Sequence, residues 1–235
     1  MDRIVFNPFT VLMLVILVGL FIIVLPFLFL SLIGTAFIKL GFSWREVIIL
    51  LFLTLAGSFV NIPITTIPGE PVIMQEETPS IFGILYRIRD VTPTTRVAIN
   101  VGGAIIPISI SLYLLYNSAT MLDPAIVPLS LIGVVVVSGF VKMVARPVRG
   151  VGIVTPFFIP PLAALASGLL LSTLSPEPIA AAIIAYVSGT LGTLIGADIA
   201  NLHRIRELAS PVISIGGAGT FDGVFLSGII AAFLA

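Results

Sequence analysis

The sequence predicts an all-α integral membrane protein with about seven transmembrane helices, and three observations carry that prediction. First, 58% of its 235 residues are hydrophobic and only 9% are charged, against about 45–50% and roughly 25% in soluble domains. Second, apolar runs near the 20 residues that cross a bilayer as a helix recur along the whole chain, and the mean hydropathy is +1.24. Third, the basic residues gather in alternate connections between those runs. Eleven basic and eleven acidic side chains give a formal net charge of zero, so nucleic acid has no basic surface to meet. A water-soluble enzyme, a disordered chain and a DNA-binding module are excluded. Residues 1–235 read as a single membrane domain whose first partner is the lipid bilayer.

The spans follow in order. The first, 9–38, is far longer than the apolar core of a signal peptide and is expected to be a retained helix. The second covers 47–67, the third 97–116, the fourth 126–144, the fifth 153–174, the sixth 179–197 and the seventh 212–234. Pro107 is expected to kink the third, and Pro156, Pro160 and Pro161 to bend the start of the fifth. Seven spans place Arg3, Arg87, Arg89, Arg96, Lys142, Arg146, Arg149, Arg204 and Arg206 on one side, and only Lys39 and Arg45 on the other. The positive-inside rule then puts the protein in the cell membrane with its N-terminus cytoplasmic and its C-terminus outside. The long polar connection 69–96 becomes cytoplasmic. Within it, apolar residues at 81, 84, 85 and 88, with Arg87 and Arg89 off that stripe, have the spacing of a short amphipathic helix. Such a helix lies either in the membrane interface or against the bundle. Arg146 to Gly152 reads as a rigid basic turn anchoring the cytoplasmic side, and His203 as a solvated loop residue.

An internal echo interrupts two of these spans. Ala98-Ile99-Asn100-Val101-Gly102-Gly103-Ala104 and Val212-Ile213-Ser214-Ile215-Gly216-Gly217-Ala218 share one pattern, in which alternating residues run into Gly-Gly-Ala. Period two fits an extended segment rather than a helix, and paired glycines allow close backbone approach. Spans three and seven therefore begin with Gly-rich breaks and run in the same direction. That arrangement suggests a parallel 3+1+3 repeat, of the kind that marks transporters. A second echo supports it, between Thr54 to Asn61 and Thr190 to Ile195, with Asp198 falling near the place of Asn61.

The chemistry sits in two aspartates. Asp198 lies near the cytoplasmic end of span six and Asp222 within span seven, and an ionisable group inside a helix bundle is a functional-site hypothesis by default. Facing carboxylates share a proton, so one can activate water while the other donates to a carbonyl oxygen. Asp198 and Asp222 are thus the candidate catalytic pair. Gly216, Gly217 and Gly219 would give a substrate backbone room, and Asn61 and Asn100 are polar groups suited to the same cavity. A helix cap or an arginine partner accounts equally well for Asp198, and interhelical hydrogen bonds for the two asparagines. With no cysteine and the single histidine His203, disulfides, thiolate catalysis and multi-histidine metal sites are excluded, and no cofactor is expected.

Two resemblances follow from these motifs. The run Gly-Thr-Leu-Gly-Thr-Leu-Ile-Gly-Ala-Asp at 189–198 and the run Ser-Ile-Gly-Gly-Ala-Gly-Thr-Phe-Asp-Gly at 214–223 resemble a family of prokaryotic multi-spanning proteins of unknown function. The likeness extends over most of the chain after the second span and implies no activity. Phe221-Asp222 and Gly196-Ala197-Asp198 are similar, more distantly, to the motifs of the presenilin, signal-peptide-peptidase and prepilin-peptidase group. This chain departs from that group: a full Gly-x-Gly-Asp is missing, the motif order is reversed, and no Pro-Ala-Leu follows Asp222. The second resemblance implies an intramembrane aspartyl protease acting on a transmembrane peptide. The repeat implies instead a proton- or cation-coupled carrier of a small solute, and a membrane scaffold is the third reading.

Overall fold

A computed structural model of the chain describes residues 8–68, 72–80, 83–91, 94–148, 152–208, 212–217 and 223–235. Among them are seven α-helices: α1 (Pro8–Lys39), α2 (Trp44–Gly57), α3 (Ile106–Met121), α4 (Ile126–Val144), α5 (Ile159–Ser172), α6 (Ala180–Thr193) and α7 (Gly223–Leu234). Four helical stretches are long and apolar enough to cross a membrane: Phe9–Lys39, Val101–Met121, Ile126–Val144 and Ala180–Arg204. Ile159–Ser172 and Gly223–Leu234 are apolar but shorter. The protein thus has the make-up of an integral membrane protein, with fewer full-length spans among the described residues than the seven expected.

The all-α expectation needs correction, because seven short strands accompany the helices. They are β1 (Asn61–Pro68), β2 (Val72–Ser80), β3 (Gly83–Val91), β4 (Thr94–Asn100), β5 (Arg146–Val148), β6 (Gly152–Val154) and β7 (Val212–Ile215). The expected second span is the first casualty. Ser43 and Glu46 form a reciprocal capping box that starts α2, yet the helix stops at Gly57. Beyond it, Ile62, Ile64, Thr65, Thr66 and Ile67 favour extended backbone, and Pro63 and Pro68 cannot continue a helix. Hydropathy alone reads that whole stretch as one apolar run.

The connection to α3 is a pair of nested hairpins. β1 runs antiparallel to β4 from Asn61↔Asn100 to Pro68↔Thr94, with a register shift between Pro63 and Thr65. β2 pairs with β3 from Val72↔Val91 to Ser80↔Gly83. The amphipathic helix expected over 80–89 is therefore replaced by strands, with residues 81–82 outside the described set. The sequence of β3 also alternates with period two, and a paired neighbour strand satisfies that reading where an isolated helical turn would not. The residues flanking the expected basic turn pair as antiparallel β5 and β6, and residues 149–151 of the turn lie outside the described residues.

The Gly-rich breaks at spans three and seven are present as expected. β4 leads into a π-helical turn, Val101–Ile105, and then α3. Pro107 follows the π-helical turn inside the continuous helical stretch Val101–Met121, so its missing N–H falls where regular winding is already interrupted. Pro160 and Pro161 sit in the first turn of α5 and start that helix rather than bending it. β7 leads into Gly216 and Gly217, both at positive φ (85° and 90°). The two echoes lie side by side: β4 and β7 are parallel, from Arg96↔Val212 to Ile99↔Ile215, in a sheet of order β1-β4-β7. The 3+1+3 repeat is not evident. Rather than dividing into two matching triplets, the described helices α3, α4, α5 and α7 all pack against α6.

Helix α6 is the axis of the molecule, buried everywhere except at Ala181 and Leu191. Small residues let its neighbours close in. A methyl group at Gly192 would come 2.7 Å from Val137 Cβ, one at Gly168 2.7 Å from Ala185 Cβ, and one at Gly189 3.0 Å from the Gly228 backbone. Small-residue contacts of this kind are how helices associate where lipid removes the hydrophobic drive. Helix α1 buries only its last turns, through Ile33, Ala36 and Phe37, with buried Leu40 just beyond its end, whereas every large apolar side chain from Phe9 to Leu28 is exposed. At one end of the bundle Lys39 Nζ donates to the Phe233 carbonyl at 2.7 Å and Ser175 Oγ donates to Asp123 Oδ2 at 2.6 Å. The three-stranded sheet lies at the opposite ends of these helices.

Candidate functional site

At the sheet end, α6 loses its regular winding. It passes into a π-helical turn, Leu194–Asp198, and then a 3-10 helix, Ile199–Leu208. Buried Asn201 donates Nδ2 to the carbonyls of Gly196 (3.1 Å) and Ala197 (2.9 Å), satisfying acceptors in this irregular stretch. Asp198 closes the π-turn partly buried, and its Oδ2 accepts the Gly216 N–H at 2.7 Å. The expected solvated His203 is exposed, on the 3-10 helix rather than in a loop.

The glycines explain why that amide can reach the carboxylate. A methyl at Gly103 would land on the Gly216 carbonyl oxygen, and one at Gly216 would come 2.6 Å from Ala104 Cβ. A methyl at Gly102 would overlap the Thr54 carbonyl oxygen and come 2.5 Å from Ser58 N. The two Gly-Gly-Ala motifs are therefore packed against each other, and the first also against the end of α2. Only glycine permits such backbone approach.

An asparagine node fixes the same region. Asn100, 1% exposed, donates Nδ2 to the Ser58 carbonyl at 2.8 Å and to Asn61 Oδ1 at 3.1 Å, while its Oδ1 accepts the Gly103 N–H at 2.7 Å. Asn61 Oδ1 also accepts the Ser214 hydroxyl at 2.6 Å. Hydrogen bonds thus run from α2 through β1 and β4 to β7, and from the turn after β7 to Asp198.

A cleft of about 470 Å³ opens here. Asp198, Asn61, Ser58, Ser214, Thr155 and Thr193 supply its polar groups, and all four residues of β7, an edge strand of the described sheet, line it. Of the residues expected from sequence, Asp198, Asn61 and Gly217 line the cleft, whereas Asn100 and Gly216 stand behind the lining and position it. Gly219 and Asp222 lie outside the described residues, in a segment flanked by the cleft-lining Gly217 and Gly223. Ser58, Thr155, Thr193 and Ser214 were not foreseen. Ser214 sits inside the β7 alternation and Thr193 inside the Gly-Thr-Leu-Gly-Thr run, where a polar residue on an apolar element was the available signal. Among the described residues no three His, Cys, Asp or Glu side chains gather to hold a metal ion.

The chain belongs to the family described as "Protein of unknown function (DUF1614)", whose model matches residues 55–234. The match begins near the end of α2 and takes in the sheet, the cleft and α3 to α7, leaving α1 outside it. No curated protein and no solved structure matches the chain. The expectation of an uncharacterised family is met, and the likeness to the presenilin group gains no support from these comparisons.

Proposed function

We propose that this membrane protein binds an extended stretch of polypeptide in the cleft and hydrolyses it, with Asp198 and Asp222 as an aspartyl-protease pair. The observation that carries the reading is the placing of Asp198 in a 470 Å³ cleft walled by the edge strand β7. An edge strand offers main-chain groups to a substrate in extended form. A carboxylate with one oxygen already bonded to a backbone amide is held in a fixed orientation, which catalysis requires. Asp222 is the chain neighbour of Gly223, which lines the same cleft. One carboxylate would activate water and the other would protonate the scissile carbonyl. We place the cleft on the cytoplasmic side, from the nine-to-two partition of basic residues.

The test is labelling of the full chain in lipid nanodiscs by a photoreactive peptide whose scissile bond is replaced by a hydroxyethylene group. Such a group imitates the tetrahedral intermediate and binds where two carboxylates share a proton. Labelling lost in both Asp198→Asn and Asp222→Asn, and retained in Ser175→Ala at the far end of the bundle, is the expected result. Labelling indifferent to either aspartate would end the reading.

A proton- or cation-coupled carrier is the second reading, favoured by one specific observation. Ser58 and Asn61 from the first half of the chain share the cleft with Asp198 and Ser214 from the second, as a site between two halves would require. Proteoliposomes loaded with a pH-sensitive dye separate the two: proton flux that Asp198→Asn abolishes, with no peptide labelling, would favour the carrier.

A further inference from the structure

Tyr186, Thr190 and Thr193 recur along α6 at a spacing that puts their side chains on one face, and all three are at most 1% exposed. That face meets α7. The Thr193 and Ser227 hydroxyls are 3.0 Å apart, and Ser227 Oγ lies 2.7 Å from the Gly189 carbonyl, so Ser227 can donate to the carbonyl while accepting from Thr193. A methyl at Gly228 would strike Thr190 Oγ1 and come 3.3 Å from the Tyr186 ring. The lower end of this face reaches the cleft, because Thr193 lines it.

The upper end is chemically unfinished. Tyr186 Oη and Thr190 Oγ1 are buried neighbours one turn apart, near enough to interact with each other, yet the pair does not close a hydrogen bond of good geometry and neither has another partner among the described residues. Other buried hydroxyls in this bundle bond back to the carbonyl four residues earlier, as Ser111 does at 2.9 Å and Ser118 at 2.8 Å. Thr190 does not. A buried polar group without a partner is costly, and folded proteins satisfy such groups with internal water where two or more of them meet.

We propose that a water molecule binds the Tyr186 and Thr190 hydroxyls, and that the face from Tyr186 to Thr193 is a hydrated extension of the cleft. Seven residues of helix carry it about 10 Å into the bundle. The site supplies water to the cleft from inside the protein, and it stands whether or not the cleft binds peptide.

X-ray radiolytic footprinting of the full chain in nanodiscs tests it, because radicals formed from a bound water label the side chain beside it. Tyr186 is expected to be modified despite its burial, with modification lost in Thr190→Val and kept in Thr190→Ser. An unmodified Tyr186 in the wild-type chain would overturn the proposal. So would a Tyr186 equally modified in the wild-type chain and in Thr190→Val, since the hydroxyl would then hold no water. If Thr190→Val does not fold, the wild-type rate alone decides.

Discussion

At the scale of the residue, the cleft rests on Asn100 more than on the aspartate that drew attention in the sequence. Its amide makes three hydrogen bonds to three separate pieces of chain, Ser58, Asn61 and the turn at Gly103. Asn100→Ala strips a partner from the Ser58 carbonyl and from the Gly103 N–H, and leaving a buried group unpaired costs about 1–3 kcal/mol. The variant should melt at a lower temperature in detergent, and Asn100→Asp should recover little, because a carboxylate cannot donate to Ser58. An unchanged melting temperature in Asn100→Ala would show that water replaces the amide. The sequence singled out Asn100 and Asn61 as polar groups within apolar runs, and Asp198 for the same reason. It placed Asn100 in the cavity lining rather than behind it, because side-chain partners 39 and 42 residues away leave no local pattern. Thr155 and Ser58 were illegible for a similar reason: each sits at an element end whose position is set by tertiary packing.

At the scale of the element, periodicity and glycine were the informative signals, and hydropathy the misleading one. The alternation before each Gly-Gly-Ala motif correctly announced β4 and β7, and the shared direction of those motifs emerged as a parallel pair. Total apolarity, by contrast, could not separate α2 from β1, since Leu and β-branched residues weigh alike in hydropathy while favouring different backbones. The register is also open to test. Aligning the echoes by sequence sets Ala98 against Val212, whereas the ladder sets Arg96 against Val212 and Ala98 against Ser214. The native chain has no cysteine, so engineered pairs report cleanly. Arg96→Cys with Val212→Cys should form a disulfide under mild oxidation, because adjacent strands bring Cα atoms within disulfide range. Ala98→Cys with Val212→Cys should stay reduced. The opposite pattern would shift the register by two residues and move Gly216 away from Asp198.

At the scale of the whole molecule, the end of the bundle opposite the cleft is held by polar ties between loops, and one of them titrates. Asp123, between α3 and α4, has its carboxyl held below the usual carboxylate range, chiefly by the Ser175 hydroxyl and then by the Ala125 N–H. A depressed value in the folded state means that the contribution is complete above the unfolded-chain value and is lost as pH falls through the folded one. Asp123→Ala should therefore melt below the wild-type chain at pH 7. The gap should narrow as pH drops below about 4, where free aspartate takes up its proton. A gap that stays constant down to pH 3 would mean that the carboxylate charge plays no part in joining these loops.

That same end sets how deep the cleft lies. Lys39 on Phe233 and Ser175 on Asp123 bring together the ends of α1 with α7 and the loops beside α3, α4, α5 and α6. From that level, α2 and α5 extend 14 residues and α7 extends 12, about 21 Å and 18 Å of helix, against a hydrocarbon core near 30 Å. Short helices measured from one face stop about 10 Å before the other. Ser58, which follows α2, and Gly223, which begins α7, both line the cleft. Under the orientation proposed above, which puts the level end at the outer interface, the cleft is expected within the depth of the bilayer, opening toward the cytoplasm. Single-cysteine variants in sealed cells check this placement with a maleimide that cannot cross membranes. Thr173→Cys, at the end of α5, should label from outside. Arg146→Cys, at the opposite end of α4, should label only after the membrane is opened. Ser214→Cys should label slowly even then, since the reagent must enter the cleft. Labelling of Arg146→Cys in intact cells would invert the orientation, and rapid labelling of Ser214→Cys would lift the cleft out of the bilayer.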